Sequence, residues 1–191
     1  KSNSVKIENL TLQGSSDSIL FAGNYNNLEL QNLTISDIGS DNGIHFDGTS
    51  SSTISNVTVN STKRKAVLFE DVTSITVKNS FFKNSSSSHG FEISDGSSSV
   101  ILDNVFVHNA GYDGSSAYGL YVSGSSSVTI KNGTKVGNSK SYELYANGAS
   151  TLKVQNSTFI GPNLALIEDS YGFLIEKSIF KDSSSGDYGV Y

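Results

Sequence analysis

The sequence predicts an all-β solenoid of about eight coils with three short strands each, and three observations support this fold class. Two apolar residues spaced two apart and followed by Asn recur along the 191 residues, with successive repeats 21 to 28 residues apart. Self-similarity at such a period is typical of stacked, one-dimensional folds. Helical periodicity is absent, and a single Pro suits a fully paired sheet, because Pro cannot donate to a strand ladder.

The first strand of each coil carries the Val-x-Ile pattern, whose alternation places both apolar side chains on the inner face. The Asn that follows tolerates the left-handed backbone conformation of a turn. We expect these asparagines to point inward and to hydrogen-bond to each other from coil to coil. The repeats are Val5-x-Ile7-x-Asn9, Leu28-x-Leu30-x-Asn32, Ile54-x-Asn56, Ile75-x-Val77-x-Asn79, Val100-x-Leu102-x-Asn104, Val128-x-Ile130-x-Asn132, Leu152-x-Val154-x-Asn156 and Phe173-x-Ile175-x-Lys177.

The second strand follows the Asn and presents a column of outward residues, most of them threonines, which stabilise sheets by pairing across strands. Two adjacent phenylalanines interrupt this ladder, and burial under a neighbouring domain or subunit would explain them. The predicted column is Thr11, Thr34, Thr58, Phe81, Phe106, Thr134, Thr158 and Ile179.

A third apolar run precedes each repeat and supplies the third strand, at residues 44–46, 67–69, 91–93, 120–122, 144–146 and 165–167. A single domain over residues 1–191 is expected. Open solenoid ends expose apolar cross-section, and residues 187–191 resemble the start of another coil. We therefore expect the sequence to be part of a longer chain with further coils or neighbouring domains.

The composition argues against several functions. A net charge of -5 argues against nucleic-acid binding, because nucleic-acid binders are usually basic. No apolar run approaches the roughly 20 residues that cross a bilayer, so membrane insertion is not expected. The absence of Cys excludes disulfides and thiolate metal sites.

The outward residues of the third strands form the candidate site, because strands stacked about 4.8 Å apart align them in a continuous strip. Asp47, Glu70 and Glu92 lie on three successive coils, with Asp95 at the adjoining turn. When carboxylates lie this close, either the pKa of one of them is raised or a cation lies between them. Ca²⁺ would fit such a site, because it prefers hard oxygen ligands. The alternative is a solvated acidic edge that keeps the solenoid soluble.

Aromatic residues extend the predicted strip. Exposed tyrosines suit sugar surfaces and protein interfaces alike, and plain covering of the sheet is the alternative. Tyr121 and Tyr145 are expected to stack on adjacent coils, with Tyr142 in a flanking loop. The predicted substrate-binding residues are Tyr112, Tyr118, Tyr121, Glu143 and Tyr145.

The repeated Val-x-Ile-x-Asn-x-x-Phe, with Gly-Ile-x-Phe upstream, resembles the right-handed parallel β-helix of the pectin-lyase-like superfamily over the whole chain. Right-handedness also follows from the crossover rule for parallel strands. The resemblance implies a protein that binds or acts on polysaccharides outside the cell or at its surface. One scaffold hosts many activities, so the fold alone does not fix the function.

A narrower resemblance to polygalacturonases fails. Residues 41–43 and 88–90 resemble two of their motifs, but Lys63, Arg64 and Lys65 stand where an aspartate pair should fall. That mechanism needs two carboxylates as acid and base. In the lyases of the superfamily an Arg or Lys abstracts a proton, a role that the resemblance would give to Arg64, although a solvated charged turn is the plainer interpretation.

Three functions therefore remain open. The first is an extracellular or cell-surface domain that binds polysaccharide or a surface partner through the tyrosines and acids of the strip. The second is a polysaccharide lyase or glycoside hydrolase, and the third is a structural stalk. Candidate catalytic residues for the enzyme are His45, Asp47, Arg64, Glu70 and Glu92.

Overall fold

The repeats coil into a parallel β-solenoid in the computed structural model, which describes residues 4–18, 20–113, 116–124, 126–182 and 188–190. All regular elements in these residues are strands, and each pairs in parallel with the strand one coil before or after it. Eight strand levels follow one another along each of two sheets, so the chain makes about seven full turns. The predicted fold class is confirmed, with slightly fewer coils than expected.

The first sheet contains the first two strands of each coil. Its twelve strands are β1 (Val5–Ser15), β3 (Leu28–Ile38), β5 (Thr53–Ser55), β6 (Thr58–Thr62), β8 (Thr76–Ser85), β10 (Val100–Ala110), β12 (Ser127–Lys131), β13 (Lys135–Gly137), β15 (Thr151–Gln155), β16 (Thr158–Gly161), β18 (Phe173–Glu176) and β19 (Ile179–Asp182). In β1, β3, β8 and β10 the two predicted strands run on as one strand of 10 or 11 residues.

The second sheet contains the third strand of each coil and carries the candidate site. Its strands are β2 (Leu20–Gly23), β4 (Ile44–Asp47), β7 (Val67–Glu70), β9 (Phe91–Ser94), β11 (Leu120–Ser123), β14 (Leu144–Asn147), β17 (Asn163–Glu168) and β20 (Tyr188–Val190). These strands are three to six residues long, so each presents only one or two outward side chains.

The repeated asparagines bend the first sheet without breaking it. Each has a positive φ, from 47° at Asn156 to 58° at Asn9, as the turn requires. The predicted ladder forms, since Asn32 donates to Asn9 over 3.0 Å and Asn104 donates to Asn79 over 2.9 Å. The predicted inward direction is wrong, because these asparagines are exposed and the apolar residues on both sides fill the interior.

A second asparagine ladder follows the second strand and was not predicted. Asn84 donates to Asn60 over 2.6 Å, Asn109 donates to Asn84 over 2.9 Å, and Asn138 in turn donates to Asn109. Stacked amides satisfy each other's donors and acceptors where these bonds form, so the two ladders help to hold the corners of the solenoid in register.

The interior is a narrow column of aliphatic and aromatic side chains, with the predicted Val-x-Ile residues of the central coils fully buried. Phe46, Phe69 and Phe91 follow one another along the axis with ring centroids 5.2 and 5.1 Å apart, and Phe82 packs against Phe91 at 5.3 Å. This stack lies directly behind β4, β7 and β9, so it provides a rigid floor for the side chains on their outer face.

The outward column of the second strand departs from prediction at one coil. Lys135, not Thr134, pairs with Phe106, because the Gly133 turn shifts the strand by one residue. Thr134 is buried instead, and its hydroxyl accepts the N–H of Val105 at 3.1 Å.

No helix in the described part of the chain has the length and apolar character needed to cross a membrane.

Candidate functional site

The outer face of the second sheet places the predicted residues in two columns. One column contains His45, Leu68, Glu92, Tyr121 and Tyr145, each paired with the next on adjacent strands. The second column runs from Asp47 and Glu70 to Asn147 and Glu168. We call the resulting surface the Tyr–Glu strip, defined as His45, Lys65, Glu70, His89, Glu92, Tyr118, Tyr121, Tyr142, Tyr145 and Glu168.

Four tyrosines form one cluster at the centre of the strip. The rings of Tyr121 and Tyr145 are stacked, 5.4 Å apart and 7° from parallel, as expected for identical side chains on adjacent coils. Tyr118 leans against both at 49°, with its centroid 4.5 Å from that of Tyr145, and Tyr142 lies 6.4 Å from Tyr145. The cluster is half-buried, so it covers the sheet and still reaches solvent.

Hydrogen bonds connect this cluster to the acidic end of the strip. The hydroxyl of Tyr145 donates to Glu168 Oε2 at 2.7 Å and accepts from Asn147 Nδ2 at 3.0 Å. The amide of Asn147 is the largest single influence and lowers the pKa of Tyr145, but the hydrogen bond to the Glu168 carboxylate, the charge of that carboxylate and burial together raise it. Burial beside other phenols raises the pKa of Tyr118. Tyr118 and Tyr145 therefore remain protonated at pH 7 and act as hydrogen-bonding groups.

His89 joins the tyrosines to a charged group. Its ring stacks on Tyr118 at 4.8 Å and 14°, and its Nδ1 accepts the backbone N–H of Tyr118 at 3.1 Å. The neutral ring must therefore carry its proton on Nε2, which lies 3.7 Å from Glu92 Oε2. Burial, reinforced by the charge of Lys65, lowers the pKa of His89 to about 4, so the ring is neutral at pH 7.

Lys65 and Glu92 form a buried ion pair beside this histidine. Lys65 Nζ lies 3.0 Å from Glu92 Oε2, and both side chains are largely buried. Burial raises the pKa of Glu92, and the opposing effect of Lys65, which lowers it, is not large enough to cancel this rise. A second pair lies nearby, where His45 Nε2 is 2.6 Å from Glu70 Oε2. Glu92 and Glu70 therefore pair with a lysine and a histidine from neighbouring coils.

Glu143 was predicted to lie outward beside the tyrosines, and the structure shows that this placement is wrong. Its side chain is fully buried, and both carboxylate oxygens accept hydrogen bonds from Ser139, the hydroxyl donating over 2.6 Å. The carboxyl occupies the space that a side chain at Gly161 would fill, since a Cβ there would be 1.6 Å from Glu143 Oε1. Burial raises the pKa of Glu143 to about 7.

The predicted calcium ligands do not converge. Glu70 and Glu92 have the partners described above, and Asp47 and Asp95 are exposed at the ends of their strands. Among the described residues, no group of three or more His, Asp and Glu side chains is placed to hold a metal ion. Calcium binding stays a prediction without a preformed ligand set.

Two other candidates lie away from the strip. Arg64 Nη1 is 3.8 Å from Asp41 Oδ1 and the side chain is 60% exposed, as expected for a solvated charged turn. Tyr112 is exposed in a depression with Lys63 and Asp113, so it does not join the other tyrosines. Neither residue is in a position to act with Glu92 or Tyr121.

Lys65 and His89 are the strip residues that were not predicted. Lys65 immediately precedes a buried Ala at the start of β7, and His89 lies three residues before Glu92. Both come from turns, whose side-chain directions do not follow from strand alternation. A basic residue one coil away from an acidic column is the only signal in the sequence that could have indicated Lys65.

Comparison with known proteins establishes the family. A family described as a right-handed beta helix region matches residues 1–134, well over half of the chain. The chain belongs to this family. The predicted right-handed parallel β-helix is thereby confirmed. No curated protein matches the chain in sequence.

Solved structures of right-handed beta helix proteins share the fold at low sequence identity. The A-module of mannuronan C-5 epimerase AlgE4 from Azotobacter vinelandii is 12% identical with a TM-score of 0.62, covering 91% of this chain and 58% of that one. A mutant of the periplasmic alginate epimerase AlgG is 12% identical with a TM-score of 0.60, and the match covers 97% of this chain and 43% of that one.

A surface protein and adhesin of Streptococcus pneumoniae, PfbA, is 13% identical with a TM-score of 0.54, covering 98% of this chain and 66% of that one. The chain spans about half the length of the two epimerase structures. At these identities the likeness establishes the fold and leaves function to the site residues.

Proposed function

We propose that this beta helix domain binds a polysaccharide along the Tyr–Glu strip, outside the cell or at its surface. The observation that carries the proposal is the continuity of the strip. From His45 on β4 to Glu168 on β17 it crosses six strand levels, a distance of about 24 Å at 4.8 Å per level. An extended polymer can follow such a straight, shallow surface, whereas a small molecule finds little enclosure there.

The chemistry of the strip favours hydrogen bonding to sugar hydroxyls. Tyr121 and Tyr145 cover each other's faces, so they offer ring edges and hydroxyls to a ligand more than flat platforms. Glu168 and Asp47 add exposed carboxylates, which accept hydrogen bonds from sugar hydroxyls. The contacts between Tyr118, His89 and Glu92 hold this surface in place before a ligand arrives, which reduces the entropic cost of binding.

The structural relatives are in keeping with this proposal. Two of them are epimerases of mannuronan or alginate, and a third is a bacterial surface protein and adhesin. An extracellular or surface location would also bring the strip into contact with such polymers.

Affinity electrophoresis against a panel of acidic and neutral polysaccharides, with and without Ca²⁺, tests the proposal. We expect at least one polymer to retard the protein, and Tyr121→Ala combined with Tyr145→Ala to abolish the retardation. Tyr25→Ala is the control, since Tyr25 is an exposed tyrosine in the turn after β2 and is not part of the strip. Retardation that survives the double substitution would place the binding outside the strip, and no retardation by any polymer would leave the stalk hypothesis.

A second candidate function is catalysis at the Lys65, His89 and Glu92 group. Opposite pKa shifts on neighbouring buried groups are typical of catalytic sites, although structural ion pairs show them too. Product analysis in the same experiments distinguishes the two functions. New reducing or unsaturated ends that disappear in Glu92→Gln or Glu70→Gln would establish an enzyme, whereas retardation without new ends establishes a binding domain.

A further inference from the structure

The outer face of the first sheet carries an aromatic groove that is separate from the Tyr–Glu strip. Phe81 is 52% exposed and lies 5.7 Å from Phe106 with the ring planes at 50°, so neither ring covers the other's face. The same column carries Thr58 one coil before and Thr158 further on. The sheet therefore accepts threonine at this position, and the fold does not require the two phenylalanines.

The neighbouring column deepens this surface into a groove. The rings of Phe106 and His108 are 5.5 Å apart and nearly parallel, at 12°. Gly137 follows His108 in the column, and both residues line a hollow of about 310 Å³. Ile160, itself 41% exposed, closes the far side of the hollow.

The charges at the groove are of one sign. Lys135 is among the residues that line it. In the column that contains His108, Lys83 comes directly before His108 and Lys181 comes directly after Ile160. None of the described residues that line the groove is Asp or Glu. This contrasts with the Tyr–Glu strip and with the chain as a whole, whose net charge is -5.

We propose that this groove is a second binding site, specific for an acidic oligosaccharide whose sugar rings lie on Phe81 and Phe106 and whose anionic groups contact Lys135. The exposed ring of Phe81 and the free face of the half-buried Phe106, whose other face is stacked on His108, suit the apolar faces of sugar rings. The local positive charge selects anionic sugars over neutral ones. A peptide strand is disfavoured, because the groove lies on a sheet face whose backbone groups are already paired with the adjacent coils.

Isothermal titration calorimetry with a uronic acid tetramer and a neutral glucose tetramer tests the proposal. We expect the native chain to bind the acidic probe more tightly, with affinity falling as salt is raised. Phe106→Thr and Lys135→Thr should each weaken it about five-fold or more, which corresponds to roughly 1 kcal/mol. Threonine is used because the sheet already accepts it in this column.

Two controls separate this site from others. Lys153→Thr removes the same charge from an exposed position on another strand of the same sheet, and it should leave affinity unchanged. Tyr121→Ala with Tyr145→Ala removes the strip, so affinity for the acidic probe that persists in this variant and is lost when Phe106→Thr is added belongs to the groove, and failure of the strip and failure of the groove are distinguishable. Equal affinity in Phe106→Thr and the native chain would overturn the proposal, as would equal affinity for both probes.

A second copy of the chain on the groove is the remaining outcome. Sedimentation would then show a dimer in the native chain and a monomer in Phe81→Thr with Phe106→Thr. That result would replace the saccharide site by a self-association surface.

Discussion

The ring of His89 stacks on that of Tyr118 at 4.8 Å, and its Nδ1 accepts the backbone N–H of the same tyrosine at 3.1 Å. The two contacts come from turns that are one coil apart, and they join the tyrosine cluster to the Lys65–Glu92 pair. Protonation of Nδ1 would break this hydrogen bond and place a charge in a largely buried position, so the neutral form of His89 is favoured.

His89 should make the protein less stable as the pH falls. Its pKa is lowered from 6.5 to about 4 by burial, so its contribution is present above pH 6.5 and is lost as the pH falls toward 4. The loss is on the order of 3 kcal/mol. Urea unfolding at pH 7, 5 and 4 should show a smaller loss in His89→Gln, whose amide oxygen can still accept the Tyr118 N–H. Identical pH profiles for the two proteins would contradict this.

Glu143 should have the opposite effect. Its pKa is raised from 4.5 to about 7 by burial, so its contribution is present below pH 4.5 and is lost as the pH rises through 7. Glu143→Gln mimics the protonated carboxyl and should be more stable than the native chain at pH 8, by a margin on the order of 3 kcal/mol. At pH 4.5 the two should unfold at the same urea concentration. A destabilised variant at pH 8 would show that the charge is stabilising.

Lys65→Met should leave the Glu92 carboxylate buried without its cation. Breaking one side of a buried ion pair is costly, and we expect a loss of about 3 kcal/mol at pH 8. Because the pKa of Glu92 is already raised, its protonation should remove much of this loss near pH 4. The double variant Lys65→Met with Glu92→Leu should recover most of the stability at pH 8. A double variant no better than the single one would mean that Lys65 acts through packing alone.

Gly161→Ala should clash with Glu143. The added Cβ would lie 1.6 Å from Glu143 Oε1, so the carboxylate would have to leave its bonds to Ser139. We expect a loss of about 2 to 3 kcal/mol in thermal or urea unfolding. The same substitution in a Glu143→Ala background should cost much less, because the space is then free. Equal costs in both backgrounds would show that the clash relaxes in another way.

Asn79→Ala should destabilise the corner between the first two strands. It places Ala at a φ of 51° and removes the acceptor for Asn104, at an expected cost of about 1 to 2 kcal/mol. Asn79→Gly keeps the backbone conformation accessible and should cost less. Chemical unfolding of both variants tests this, and a glycine variant less stable than the alanine one would mean that the conformation is not what Asn79 provides.

The spacing of the repeats and the alternation of side chains along each strand predicted the coil. The interval between asparagines indicated the solenoid, and alternation placed Val100 and Leu102 in the core and Tyr121 and Tyr145 outside it. Those results follow from the chain itself, because one coil stacks on the next and identical positions must meet.

The direction of the asparagines and the burial of Glu143 depended on tertiary structure. Asn79 points outward because the apolar residues beside it compete for a thin interior. Glu143 turns inward because Gly161, on the following coil, leaves room for a carboxyl.

The sequence by itself therefore determined the fold, the residues that face outward from regular strands and, except at Thr134, the coil register. Only the tertiary structure decided that Lys65 and His89, which come from turns, meet Glu92, and that Glu143 does not face solvent. The physical reason is that strand alternation fixes side-chain direction locally. In a turn, that direction depends on the space and charge that neighbouring coils supply.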